Sequence, residues 1–321
     1  MFRKHTRRAA KAAFAISFGV ALLIGLAACG GGGGSGTTAP TTTASDASKT
    51  TITIGTKNFG EEYILGQLYG QALAAKGFHV VYKGSFGSSE LANTAIKSGK
   101  MNFYPEYTGV VALDLAKTKN APKTANATYV AAKKYENAQG QTMLNPTPFA
   151  DTDTFTVLKS TATKDHLTDM SDLSKLKSFS YAGYPECTTR ITCILGMKQI
   201  YGLNNIKFIQ LGNISVYTLL DQGKATGGDG FSTDPQQLQK NKYVALVDNK
   251  HIFGFQNVTP VLKKTLVVGP NGALLASTAN AVTAKLTLPA MQAMNKAYYV
   301  DKATPKQIAH GFLAANGLLS K

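Results

Sequence analysis

Two α/β lobes, the first of them discontinuous, are the architecture that this chain of 321 residues predicts. Three observations lead there. Strand-like and helix-like segments alternate from Thr51 to Tyr104. A second such series runs from about Phe155 to Phe255. A strand-like return near Val258 then precedes long closing helices. Alternation with short links argues for largely parallel sheets flanked by helices.

Taken in order, Thr51-Ile52-Thr53-Ile54 alternates polar and apolar side chains, as a strand does, and Gly55 follows. From Glu61 to Lys76, Tyr63, Ile64, Leu68 and Leu73 recur near helical spacing, and Gly77 is placed to end the helix. Glu61 and Glu62, adjacent and so not facing each other on a helix, read as first-turn carboxylates that favour its N-terminus. Phe78–Tyr82 reads as a second strand. Ser88 or Ser89 caps a helix through Ile96 that stops at Gly99. Met101–Tyr104 is a third short strand, closed by Pro105.

The second series has strand-like pieces at Phe155–Leu158, Phe179–Tyr181, Lys207–Ile209, Gly227–Phe231 and Tyr243–Leu246, with helical pieces at Cys193–Tyr201 and Val216–Gly223. Val258–Val268 is strand-like again, and Ala273–Tyr299 and Pro305–Asn316 read as closing helices. The simplest arrangement gives residues 51–153 and 256–321 to one lobe and residues 154–255 to the other. Two connecting strands then form a hinge, and a ligand belongs in the cleft between the lobes.

The N-terminus carries Arg3, Lys4, Arg7, Arg8 and Lys11, then an apolar stretch from Ala12 to Ala28 that ends in Leu-Ala-Ala before Cys29. A basic head, a short apolar core and small residues before a cut describe a secretory signal over residues 1–28. The stretch is shorter than the ~20 residues that span a bilayer as a helix. Leu26-Ala27-Ala28-Cys29 resembles the lipobox of bacterial lipoproteins, which implies lipidation at Cys29 and anchoring at the outer face of a membrane. An ordinary signal peptide or an uncleaved anchor are the alternatives. Residues 29–50, rich in Gly, Ser and Thr, read as a flexible tether.

The formal charge of +16, less the five basic residues of that leader, leaves +11 on the mature chain. The lysines are spread singly, with no Arg-rich arm or aromatic-interleaved basic run, so nucleic acid is not the expected partner. Of the three cysteines, Cys29 aside, Cys187 and Cys193 remain, six residues apart. Outside a reducing compartment that spacing suits a local disulfide; two free thiols or half a metal site are the alternatives. The five histidines are scattered without ligand spacing, so no metal is expected.

Catalytic signatures are missing. There is no Gly-x-Ser-x-Gly turn, no His-Glu-x-x-His pair, no phosphate-binding Gly-x-x-x-x-Gly-Lys loop and no Gly-x-Gly-x-x-Gly after a strand. No cofactor is called for, and a binding protein is expected rather than an enzyme.

Several segments, in series, resemble the substrate-binding proteins of ABC importers for osmoprotectants such as glycine betaine, choline, carnitine and proline betaine. Thr53-Ile54-Gly55-Thr56-Lys57-Asn58-Phe59 with Glu61-Glu62-Tyr63 is similar to the family's opening strand and loop, and Tyr104-Pro105-Glu106-Tyr107-Thr108-Gly109 to its most distinctive motif. Gly230-Phe231-Ser232-Thr233-Asp234 resembles the second-lobe loop, and Phe255-Gln256-Asn257-Val258-Thr259-Pro260 the returning hinge. Tyr184-Pro185-Glu186-Cys187-Thr188-Thr189-Arg190 is similar to a cysteine-bearing branch. The resemblance implies a type II periplasmic-binding-protein-like fold, a monomer, and a separate ABC permease as partner.

It also implies a cage. A quaternary ammonium cannot donate hydrogen bonds, so ring faces hold it, at about 0.5–2 kcal/mol per well-placed ring. Without Trp, the cage must come from the 14 Tyr and 15 Phe. Tyr104, in the motif and at a predicted strand end, is the first candidate; Phe86, Tyr184, Tyr217 and Phe231 follow. Lys57 and Arg190 are candidates for a ligand carboxylate, with Ser89 and Thr108 as neutral donors. The blander readings are a surface lysine for Lys57, a solvated arginine for Arg190 and a helix-start carboxylate for Glu106. Asn102 stands where family members commonly carry an acidic residue, and Phe86 and Phe231 stand where tyrosines often occur, so a shift in selectivity is expected. An amino acid or other organic cation on the same scaffold, or an envelope enzyme without recognisable motifs, are the alternatives.

Overall fold

The computed structural model describes residues 47–119, 121–212 and 214–319. The signal segment, Cys29 and the glycine-rich stretch lie outside the described residues. Ten strands form two five-stranded sheets. One contains β1 (Thr51–Thr56), β2 (His79–Ser85), β3 (Phe103–Tyr107), β4 (Gln141–Met143) and β10 (Val258–Lys263), in the order β2-β1-β3-β10-β4. The other contains β5 (Asp153–Leu158), β6 (Phe179–Gly183), β7 (Ile206–Gln210), β8 (Gly227–Phe231) and β9 (Tyr243–Leu246), in the order β7-β6-β8-β5-β9. The expected two-lobed α/β fold is the one that forms.

Four strands of each sheet run in one direction, β2, β1, β3 and β4 in one and β7, β6, β8 and β9 in the other. The chain that crosses between lobes contributes an antiparallel strand to each: β10 runs against β3 and β4, and β5 against β8 and β9. A chain that leaves one sheet and returns enters with its direction reversed, so a single strand opposes each otherwise parallel sheet, in keeping with the largely parallel reading.

The first lobe is built around the helix Gly60–Ala75. Its Ile64, Leu65, Leu68, Tyr69 and Leu73 are buried against Ile52 and Ile54 of β1 and against the closing helices Gly272–Lys285, Leu288–Tyr299 and Pro305–Ala315. Burying each such side chain is worth about 1.5–3 kcal/mol. Tyr69, fully buried, shares a 3.0 Å hydrogen bond with the Thr283 hydroxyl, so its polar end is satisfied. The helix ends at Gly77, whose φ of +89° L-residues other than glycine rarely adopt. In the second lobe the core centres on Phe155, with Tyr181 at 4.9 Å and Phe179 at 5.8 Å between ring centroids.

Pro105 does not close β3; the strand continues through it to Tyr107. The reason lies in the register. Lys263 N–H donates to Asn102 O and Thr108 N–H to Asn257 O, so the Pro105–Pro260 pair between them falls at a non-hydrogen-bonded position. On the outer flank β1 pairs with β3 only at Ile54–Phe103, so nothing there asks Pro105 for a donor. The strand-like run Val258–Val268 divides into β10 and a short helix Lys264–Val268, and Ala273–Tyr299 breaks into two helices at Leu286-Thr287, with Pro289 in the first turn of the second. The helix Ala125–Asn137 escaped the sequence reading because its buried positions are Thr128, Ala132 and Glu136, too few apolar residues to show periodicity.

Two antiparallel passes connect the lobes. Ala150 bridges Asn257, Asp151 N–H donates to Gln256 O at 2.9 Å, and the Asn257 amide donates to Thr147 O and Phe149 O, each at 3.0 Å. Among the described residues no helix is long and apolar enough to cross a membrane.

Candidate functional site

A pocket lies between the lobes beside these passes, walled by residues of both. A row of four rings crosses it. Tyr107 at the end of β3 stacks with Phe59 at 6.2 Å; Phe59 stacks with Phe231 of β8 at 6.2 Å and 1° between planes; Phe231 meets Tyr184 at 6.4 Å. The first two belong to one lobe and the last two to the other. Ring faces of this kind attract cations through their quadrupoles.

Lys57, just after β1, is buried to 2% exposure, and its ammonium lies 3.9 Å from the Tyr107 ring centroid. It pairs with Glu106, and Glu62 stands 3.4 Å away. Ser89, the first residue of its helix, donates to the same Glu106 oxygen at 3.2 Å. Glu106 is therefore a buried partner on β3, not a helix-start carboxylate. Glu62 also accepts the Lys57 backbone N–H at 3.1 Å, while Glu61 accepts from the Tyr107 hydroxyl and from the Asn295 amide. Both first-turn glutamates thus underpin the site as well as starting a helix. Burial pushes the Glu62 carboxyl up to about 8, with Lys57 pulling against it.

The second lobe supplies carboxyls. Asp153 on β5 and Asp229 on β8 lie on one face of the sheet, because Asp153 is registered with Phe231 and Phe155 with Asp229. The two acids are diagonal neighbours on that face, and Asp229 accepts from the Tyr181 hydroxyl at 3.2 Å. Burial first, and then the neighbouring carboxylate, raises Asp229; burial pushes Asp153 up to about 7, with Arg190 opposing. Asp151, beside the hinge, accepts from Thr233 N–H at 3.3 Å and from its hydroxyl at 2.7 Å. Burial and Glu61 raise it as well.

Arg190 reaches from the second lobe to Glu90 of the first through two hydrogen bonds of 3.1 Å, and Thr192 donates to Asp114 at 2.8 Å. Both sit on the short loop between Cys187 and Cys193, whose Cα atoms are 5.2 Å apart, within the span of a disulfide.

Of the residues singled out from sequence, Lys57, Ser89, Tyr184, Arg190 and Phe231 come together on this wall. The others lie elsewhere. Tyr104 is fully buried in the cluster of Met101, Val111 and Ala132, its hydroxyl without a protein partner, and Phe86 packs against that cluster. Asn102 bridges strands, accepting from Thr53 N–H at 2.7 Å and donating to Thr51 O at 2.9 Å. Thr108 donates to Phe255 O at 2.8 Å and so braces the hinge. Tyr217 borders a wider chamber beyond the ring row, with its hydroxyl donated to Asp234 at 2.8 Å. Phe59, Tyr107, Asp151, Asp153, Asp229 and Gln256 line the pocket without having been singled out.

The family described as the substrate binding domain of ABC-type glycine betaine transport systems matches residues 50–315. A glycine-betaine-binding protein of Pseudomonas aeruginosa is 29% identical over 287 residues, covering 85% of this chain and 90% of that protein. The glycine betaine-binding protein YehZ of Escherichia coli is 26% identical over 283 residues, covering 83% and 90%. Among solved structures, that of a glycine betaine/carnitine/choline ABC transporter protein superposes with a TM-score of 0.67 at 24% identity, covering 84% of this chain and all of that one. The fold is that of the type II periplasmic binding proteins.

Proposed function

This chain belongs to the family of substrate-binding domains of ABC-type glycine betaine transport systems, and from that premise we propose that it is a lipid-anchored, extracytoplasmic receptor for a quaternary-ammonium solute. The solute enters the cleft, the lobes close over it, and the loaded protein delivers it to an ABC permease. The observation that carries this reading is the ring row Tyr107–Phe59–Phe231–Tyr184, which joins both lobes beside buried carboxyls. Aromatic faces and negative charge are the two features that hold a cation unable to hydrogen-bond.

The two sheets support a division into residues 51–153 and 256–321 as one body and 154–255 as the other, with Asp153, which opens β5, going with the second. Cys187 and Cys193 form a disulfide that stiffens the loop carrying Arg190 and Thr192. Cys29 carries the lipid, and the mature receptor acts as a monomer.

Calorimetric titration of the purified receptor with glycine betaine, choline, carnitine and proline betaine tests the reading. Saturable binding of at least one, with no heat from primary-amine amino acids, is the expected result. Heat from the amino acids alone overturns it. For the anchor, radiolabelled palmitate should be incorporated by the full chain and not by Cys29→Ser; equal labelling of both removes the lipid from the proposal.

A further inference from the structure

The cations on the pocket wall are already matched. Lys57 is paired with Glu106, and Arg190 with Glu90 through two hydrogen bonds. The acids are not matched in the same way. Asp151 is turned to Thr233, but Asp153 and Asp229 stand as neighbours at the pocket surface beside Phe231 and Tyr184, with the Tyr181 hydroxyl donated to Asp229 and no ion pair to either among the described residues. A carboxylate arriving with a zwitterionic ligand finds no uncommitted positive side chain among the described residues lining this pocket, and it meets two acids. A ligand with a net positive charge meets the counter-charge it needs.

We infer that Asp153 and Asp229 determine specificity, selecting cationic quaternary ammonium compounds without a carboxylate, and that the arriving cation displaces a proton held between the two acids. This deepens the proposed function and rests on it. The balance is simple. Before binding, the pair holds one shared proton and a net charge of −1. The ligand brings +1, the proton leaves to solvent, and two carboxylates remain facing one quaternary nitrogen. No covalent bond to the ligand forms or breaks.

The surroundings favour that exchange. The pair is faced by Arg190 and Glu186 from the loop after β6, by Tyr181 from β6 itself, and by Asp114 across the cleft. Arg190 favours ionisation, while burial and the like charges of Asp114 and Glu186 oppose it. A pair balanced in this way keeps a proton near neutral pH and releases it when a second cation is added.

The experiment is calorimetry of the wild-type receptor with choline chloride at pH 7 in phosphate and in Tris, whose ionisation heats differ. The difference between the two heats counts protons. Release of between about a third and one proton per choline bound is expected, together with a choline affinity that rises severalfold from pH 6 to pH 8. Asp153→Asn and Asp229→Asn should each weaken choline by more than tenfold and abolish proton release, while strengthening glycine betaine, whose carboxylate then meets one acid fewer. No proton release from the wild type, or equal losses for both ligands, overturns the inference and leaves the receptor reading intact. If the wild type binds none of choline, glycine betaine, carnitine and proline betaine, the receptor reading itself fails.

Discussion

Arg190 and Glu90, one from each lobe, face each other across the cleft as a forked pair with both hydrogen bonds at 3.1 Å. The geometry exists only when the lobes are together, so the pair contributes to the closed state and not to the open one. The Glu90 side chain is 42% exposed, which holds the contribution to about 1 kcal/mol rather than the larger value of a buried pair.

Arg190→Lys, which keeps the charge but not the fork, should speed ligand dissociation about fivefold with little change in melting temperature. Stopped-flow dissociation checks this. Unchanged dissociation would mean that closure does not draw on the pair.

Lys57 stands between two buried glutamates. Lys57→Met leaves Glu106 without its cation and should cost about 3–5 kcal/mol in urea unfolding. Adding Glu106→Gln to the same chain should recover more than half of that loss. Additive losses would show that the two side chains do not act as a pair.

Tyr184→Ala removes one face of the ring row and should weaken solute binding about tenfold. Tyr104→Phe removes a buried hydroxyl without a protein partner and should leave affinity within twofold and stability equal or higher. The reverse pattern would return Tyr104 to the site.

Glu136 is fully buried on the helix Ala125–Asn137, with one oxygen accepting from Asn93 at 3.3 Å and the other unpartnered. Burial, with Glu106 adding repulsion, pushes its carboxyl from 4.5 up to about 7. A raised carboxyl keeps its proton in the folded state, so its favourable contribution is complete below pH 4.5 and is lost as pH rises toward 7. Glu136→Gln should remove that slope and make the protein more stable than wild type at pH 8, by up to about 3 kcal/mol at 1.36 kcal/mol per unit. Parallel stability curves for the two proteins from pH 5 to pH 8 would refute this.

The order of elements was legible in the sequence because alternation and glycine punctuation are local. Gly227–Phe231 and Tyr243–Leu246 form strands at the bounds expected of them. The candidate site was legible only where a motif carried it, as at Lys57, Tyr184 and Phe231. Asp153 and Asp229 gave no signal, since 76 residues separate them and only the β5–β8 register makes them neighbours. Tyr104 and Tyr107 share one motif, but three residues along a strand puts them on opposite faces. Their spacing alone does not say which face meets the cleft.

The two passes between the lobes are stitched to each other by main-chain hydrogen bonds, from the Ala150–Asn257 bridge to Asp151 and Gln256. Such a seam turns like the spine of a book: it twists without coming apart. Displacement grows with distance from that axis, so Asp151 and Gln256 stay nearly still while the far edges swing. An incoming solute therefore meets a back wall already in its final shape, and the ordering that remains is confined to the front.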